Sequence, residues 1–119
     1  MNDILLYISG PVLLFWGLAH IIKTNPAVNS FGQLSVDNKR IVIMEWVSEG
    51  LLIVFIGVFA IVGSLIGLQS VIFWLPAAAL LIMAVLSLAT GARTSLIQFR
   101  LCPVIFSVCA LLIVAGVLL

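Results

Sequence analysis

Two glutamates, Glu45 and Glu49, are the residues of this sequence whose type and spacing best suit chemistry. Both fall inside a long apolar run, and a spacing of four residues places them on the same face of a helix. Ionisable side chains inside a membrane helix are costly, and they usually face the bundle interior or a cavity. We therefore expect the two glutamates to mark a functional site.

Four more side chains complete the predicted ligand-binding set. His20 lies near the end of the preceding apolar run, and Trp46 directly follows the first glutamate. Arg93 and Arg100 lie in the connection between the last two apolar runs. If all these residues meet at one end of a helical bundle, the site consists of His20, Glu45, Trp46, Glu49, Arg93 and Arg100.

Three interpretations of this cluster compete. In the first, Arg93, Arg100 or His20 neutralises the glutamates in an ion-pair network that keeps the helices in register. In the second, the cluster fixes the polar head of a small amphipathic ligand, such as a quinone or a lipid, whose tail lies against apolar walls. In the third, His20, the two glutamates and Cys102 bind a metal ion. That donor set mixes hard and soft ligands and has one histidine, so we expect no metal.

The composition shows where such a site has to lie. The chain has 119 residues, of which 65% are hydrophobic and 8% are charged, whereas an ordinary globular domain is roughly a quarter charged. Each apolar run can cross a hydrocarbon core of roughly 30 Å, which takes about 20 helical residues. We predict an all-α polytopic membrane protein, a single four-helix transmembrane domain over residues 1–119 with the lipid bilayer as its partner. The helices are expected at about residues 4–22, 36–68, 71–90 and 102–119.

The charges predict an orientation and exclude one class of partner. All five basic residues lie in the first and third connections, which share one side of an antiparallel bundle; they are Lys23, Lys39, Arg40, Arg93 and Arg100. The positive-inside rule places that side in the cytoplasm and both termini on the outer side, and we expect a bacterial cytoplasmic (inner) membrane. A net charge of +1 without a basic block excludes a nucleic-acid partner.

The connection between the first two runs is long enough for a short interfacial turn. Asn25 and Pro26 are suited to begin it, and Gly32 to end it. Ser35 is then expected to cap the second long helix, with Asp37 in its first turn. With the lipid boundary near residue 41, the helical rise places Glu45 about 6 Å and Glu49 about 12 Å inside it.

Glycines, prolines and cysteines add further expectations. Glycines seven residues apart in the first two runs favour close helix packing. Pro103 suits the first turn of the fourth helix, and Pro11 and Pro76 predict kinks or late helix starts. Cys102 and Cys109 are roughly 10 Å apart along one helix, too far for a disulfide. Together with the lack of a Cys-x-x-Cys motif, this argues against a disulfide oxidoreductase.

Parts of the first two helices resemble DoxX-like membrane proteins. Residues 45–50, EWVSEG, and 55–57, FIG, are similar to that family's second helix, in which an acidic residue precedes a glycine-rich apolar run. Gly10-Pro11, the FWG at residues 15–17 and His20 before a basic residue are similar to its opening helix. The resemblance implies a four-helix membrane subunit, since the family includes a small subunit associated with quinone-linked sulfur oxidation.

Taken together, the residues and the resemblance favour a DoxX-like subunit. We expect it to bind a small amphipathic ligand in a polar pocket open to the cytoplasm, or to support a membrane redox complex. A quinone is the one cofactor that this role suggests, and no catalytic residue is assigned. Two alternatives stay open, a small proton-coupled transporter that uses Glu49 and a purely structural subunit. A membrane protein partner or a homo-oligomer is compatible with each.

Overall fold

The computed structural model describes residues 1–119, and all its regular elements are helical. Four helices cross the length of the molecule: α1 (Asp3–Ile22), α3 (Val36–Leu65), α4 (Trp74–Ala89) and α5 (Ile97–Leu118). The short α2 (Thr24–Asn29) joins α1 to α3, and 3₁₀ turns at Ser70–Phe73 and Gly91–Arg93 flank α4. Four spans are long and apolar enough to cross a membrane. The predicted fold class, an all-α membrane protein with four spanning helices, is confirmed.

The first connection contains the short turn that the sequence predicts, but the turn begins one residue early. Helix α2 starts at Thr24 without a side-chain cap, so Asn25 and Pro26 lie inside it and do not begin it. The six-residue α2 occupies its first part, and Gly32 follows with a φ of +83°, a left-handed conformation that suits glycine. The Ser35 side chain then accepts a hydrogen bond of 3.1 Å from the Asn38 N–H, and Asp37 lies in the first turn of α3. The end of this connection that leads into α3 is therefore set by the Ser35 cap and the left-handed conformation of Gly32.

Helix α5 begins earlier than expected. It starts at Ile97, five residues before the predicted start, so Pro103 lies inside the helix and outside its first turn. The proline removes one backbone hydrogen bond, a loss that membrane helices tolerate when neighbouring groups compensate. At the other boundary, α3 ends at Leu65, because Gly67 turns the chain with a φ of +69°.

Helices α1 and α3 pack with glycine against glycine. A Cβ on Gly17 would lie 2.8 Å from the Gly50 carbonyl oxygen, and a Cβ on Gly57 would lie 2.7 Å from that of Gly10. These distances are shorter than real Cβ contacts, so the two backbones touch where any side chain would separate them. The seven-residue glycine spacing predicted from the sequence is therefore matched across the two antiparallel helices.

Two polar contacts join three helices at the end that carries both termini, the terminal end. The Ser64 hydroxyl on α3 donates a hydrogen bond of 2.7 Å to the Asp3 carboxylate on α1. The Asn2 N–H donates one of 2.7 Å to the Gly116 carbonyl on α5. The opposite end, which carries all five Lys and Arg residues, is the basic end.

The four helices do not close a complete ring. Helix α1 packs against α3 and α5, and α5 packs against α4, whereas α3 and α4 make few close backbone contacts. Near the terminal end the Phe59 and Phe73 rings still meet at a centroid distance of 5.7 Å. Toward the basic end the space between α3 and α4 is unfilled, and this opening shapes the candidate site.

The glycine contact gives a first prediction. Gly17→Ala should lower the free energy of unfolding by about 1–3 kcal/mol, because the new methyl group overpacks against the backbone of α3. Thermal unfolding in detergent measures the effect. Gly116→Ala is the matched control and should cost less, since its methyl group would lie 3.1 Å from the Asn2 carbonyl oxygen and 3.5 Å from the next atoms, a smaller overlap than at Gly17. Equal stability of Gly17→Ala and the wild type would contradict the packing argument.

Candidate functional site

The structure brings His20 and Glu49 together across the α1–α3 contact. Their Nε2 and Oε2 atoms are 3.4 Å apart, which is within ion-pair range but outside hydrogen-bond geometry. The His20 side chain is 7% exposed and that of Glu49 is 40% exposed. Gly50 allows α1 to approach this closely, because a Cβ there would lie 2.5 Å from Ile21 Cγ1 and 3.1 Å from the Gly17 carbonyl oxygen. The pair is therefore a consequence of the close helix packing.

Trp46 fixes the other side of the His20 ring. The two rings stack with centroids 5.1 Å apart and an interplanar angle of 24°. The Trp46 indole N–H also donates a hydrogen bond of 3.1 Å to the His20 carbonyl oxygen. The edge of Phe99 on α5 meets Trp46 at 4.7 Å, and Phe31 from the first connection lies 5.9 Å away. Trp46 thus joins three segments of the basic end to α3.

An open cleft of about 550 Å³ lies between α3 and α4 on one side of Trp46. We call it the α3–α4 cleft. Its polar groups are two carboxylates and two hydroxyls, and its remaining walls are apolar or aromatic. The lining residues are Phe31, Ile41, Val42, Glu45, Trp46, Ser48, Glu49, Leu52, Met83, Leu86 and Ser87.

A smaller cavity of about 240 Å³, the α1–α5 chamber, lies on the other side of Trp46. Its walls are almost wholly apolar and include three aromatic side chains, and His20 borders this chamber but not the cleft. The lining residues are Trp16, Ala19, His20, Lys23, Trp46, Ile97, Gln98, Phe99, Leu101 and Cys102. The His20–Trp46 stack therefore separates two different environments.

The predicted residues divide into two groups. His20, Trp46, Glu45 and Glu49 all border the cleft or the chamber, with Glu45 exposed at the mouth of the cleft. Arg93 and Arg100 are exposed, border neither pocket and have no carboxylate within 4 Å.

Of the three partners that the ion-pair interpretation allows for the glutamates, the structure places His20 beside Glu49 and neither arginine beside a carboxylate. Arg93 lies in the turn beyond α4 and Arg100 in the first turn of α5, whereas Glu49 is 13 residues past the start of α3. Long basic side chains near helix ends extend toward water. The polar partner that the structure gives Glu49 is the imidazole of His20.

Cys102 borders the chamber together with His20, whereas Cys109 borders neither pocket. Cys102 is buried on α5, where its thiol donates to the Gln98 carbonyl oxygen at 3.3 Å, and Cys109 is buried further along the helix; both are free. No three His, Cys, Asp or Glu side chains lie close enough together to hold a metal ion.

Sequence reasoning missed the second wall of the site. Trp16, Phe99 and Gln98 line the chamber, and Met83 and Ser87 line the cleft. One signal was present, because Trp16 is four residues before His20 and so shares its helix face. Its indole Nε1 is buried without a hydrogen-bond partner. The α3–α4 opening had no comparable signal in the sequence.

No family model, curated protein or solved structure matches the chain. The DoxX-like resemblance stays a prediction that rests on the motifs of the first two helices. The function has to be argued from the chemistry of the cleft and its surroundings.

The Trp46 contacts give a second prediction. Trp46→Phe should lower the free energy of unfolding by about 1–3 kcal/mol, since it removes a hydrogen bond and weakens two aromatic contacts. Trp74→Phe is the control, because Trp74 is 43% exposed near the terminal end and the change should cost less than about 0.5 kcal/mol. Unfolding in detergent compares the two. Equal losses would show that the Trp46 cluster does not stabilise the basic end.

Proposed function

We propose that this protein is an integral membrane protein that binds a small amphipathic ligand in the α3–α4 cleft. The observation that carries the proposal is the cleft itself, an apolar opening between two membrane helices with two carboxylates at one end. Glu49 binds the polar head of the ligand, and Glu45 contributes at the mouth. Such a pocket has the usual form of a ligand site, mostly apolar with a few convergent polar groups.

The chemistry of the cleft selects the kind of head group. Ionised carboxylates only accept hydrogen bonds, and the cleft contains no arginine or lysine that would attract an anion. A phosphate head would meet two like charges, whereas a hydroxyl head donates to Glu49. Among the ligands that the sequence favours, a quinol therefore fits better than an oxidised quinone or an anionic phospholipid.

The tail of such a ligand has a direct route into the bilayer. Leu52 on α3 and Leu86 on α4 border the cleft and are 46% and 62% exposed. Because the cleft opens between these helices, the tail extends sideways along apolar side chains while the head stays at the carboxylates. This arrangement needs no large movement of the bundle for entry.

The position of the site in the cell follows from the positive-inside rule. We propose that the basic end, and with it the cleft, lies on the cytoplasmic side of a bacterial inner membrane. Support for a membrane redox complex, as the DoxX-like resemblance implies, is compatible with a quinol site there.

A reporter fusion tests this orientation. A C-terminal alkaline phosphatase, which is active only outside the cytoplasm, should be active, and a C-terminal fluorescent protein that folds only in the cytoplasm should be dark. The same pair of reporters inserted after Gly32 should give the reverse pattern. A bright C-terminal fusion would overturn the orientation.

The Glu49 carboxylate gives the decisive prediction for binding. Glu49→Gln should weaken binding of a short-tailed benzoquinol by about tenfold or more, because a charge-assisted hydrogen bond is lost. Stability in detergent should stay at or above that of the wild type, since the partner of Glu49 is an imidazole and not the fixed charge of an arginine, so the substitution strands no buried cation. Titration calorimetry under reducing conditions and a thermal shift measure the two effects.

Glu45→Gln is the matched control for this experiment. It makes the same chemical change one turn away at the exposed mouth, so its effect on affinity should be smaller. Reduced stability of Glu49→Gln with unchanged quinol binding would refute the proposal. That result would assign Glu45, Glu49 and His20 a structural role.

A further inference from the structure

The walls of the α1–α5 chamber are almost wholly apolar, and His20 is one of the few polar side chains that line it. His20 Nε2 is sealed from water and faces Glu49. The other ring nitrogen, Nδ1, is not among the sealed atoms and makes no hydrogen bond, and His20 borders only the chamber. Since the chamber is the cavity that His20 lines, we assign the Nδ1 edge of the ring to it.

Glu49 determines whether His20 Nδ1 accepts or donates a hydrogen bond in the chamber. A neutral imidazole carries one proton, and a carboxylate beside one nitrogen favours the tautomer with the proton on that nitrogen. With the proton on Nε2, toward Glu49, Nδ1 presents a lone pair. A ligand in the chamber can then donate a hydrogen bond to Nδ1.

The walls determine the shape of that ligand. Trp46 lies parallel to His20, and Trp16 and Phe99 supply further aromatic surface. Aromatic rings prefer to meet other rings edge-to-face or in offset stacks. A volume of about 240 Å³ is below the range of about 300–1,000 Å³ that is usual for drug-sized ligands, so it suits a single ring.

We propose that the α1–α5 chamber is a second binding site, for a hydroxylated aromatic ring whose O–H donates to His20 Nδ1. This site is distinct from the cleft and does not depend on a ligand there. It requires only the Glu49 carboxylate beside His20 and the aromatic walls. The other titratable side chains around it are Lys23, exposed on the chamber border, and Cys102 on α5.

The single histidine makes the proposal directly testable. The chain contains one His, so ¹⁵N-histidine labelling of protein purified with a histidine-free tag gives one imidazole spectrum by NMR. The probe is 4-methylphenol. Its control is 4-methylanisole, a ring of similar shape whose methoxy group accepts hydrogen bonds but cannot donate them.

The expected result is a saturable upfield shift of the unprotonated Nδ1 with 4-methylphenol, while Nε2 stays protonated. The anisole should not produce it. Ala19→Ile, which fills the chamber, should abolish the shift, and Ala78→Ile on the exposed face of α4 should leave it unchanged.

Three results would overturn the proposal. Absence of a saturable shift means that no phenol binds at Nδ1. An equal response to the anisole means that Nδ1 carries a proton and donates. An unchanged shift in folded Ala19→Ile means that the phenol acts from elsewhere. Each result is independent of quinol binding in the cleft, so failure here and failure of the proposed function can be told apart.

Discussion

Backbone contact between α1 and α3 at two glycine pairs is the constraint on which the basic end depends. At Gly17 and Gly50 there is no side chain to hold the helices apart. A histidine three residues after Gly17 can therefore reach a glutamate that precedes Gly50, and Trp46 can reach the His20 carbonyl oxygen. In lipid, where apolar surface supplies little drive for helix association, such close packing and interhelical hydrogen bonds are what is left to stabilise the pair.

The same contact explains why the bundle is open. Helix α3 packs closely against α1, and α4 is connected to α5 by a short turn. The contact between the α3 and α4 sides of the bundle is therefore near the terminal end, where the rings of Phe59 and Phe73 meet. The α3–α4 cleft is the unfilled remainder of that interface. The chamber lies on the opposite side of Trp46, so one aromatic side chain separates a polar, laterally open site from an apolar, more enclosed one.

The features that the sequence predicts correctly are those set by local rules or by burial in lipid. Helix number follows from apolar length, the Ser35 cap from its own side chain, and the α1–α3 contact from the glycine spacing. The start of α5 is predicted too late, because Gln98 and Arg100 in its first turn interrupt the apolar run from which the boundary is read. Proline is tolerated further inside a membrane helix than the rule for soluble helices suggests.

The sequence predicts which end of the bundle carries the site residues, but it does not predict which of them contact each other. Spacing placed His20, Glu45 and Glu49 at one end, but the partner of Glu49 depends on interhelical distance and on where long side chains extend. Arginine and histidine differ here in a way that matters for function. A buried arginine always carries its charge and requires a carboxylate, whereas histidine can become neutral.

An arginine partner would have made Glu49 necessary for folding. The His20 partner leaves the carboxylate free to exchange its contact for a ligand without stranding a buried charge. For the ligand binding proposed above, the identity of the partner of Glu49 therefore matters more than the presence of the glutamates.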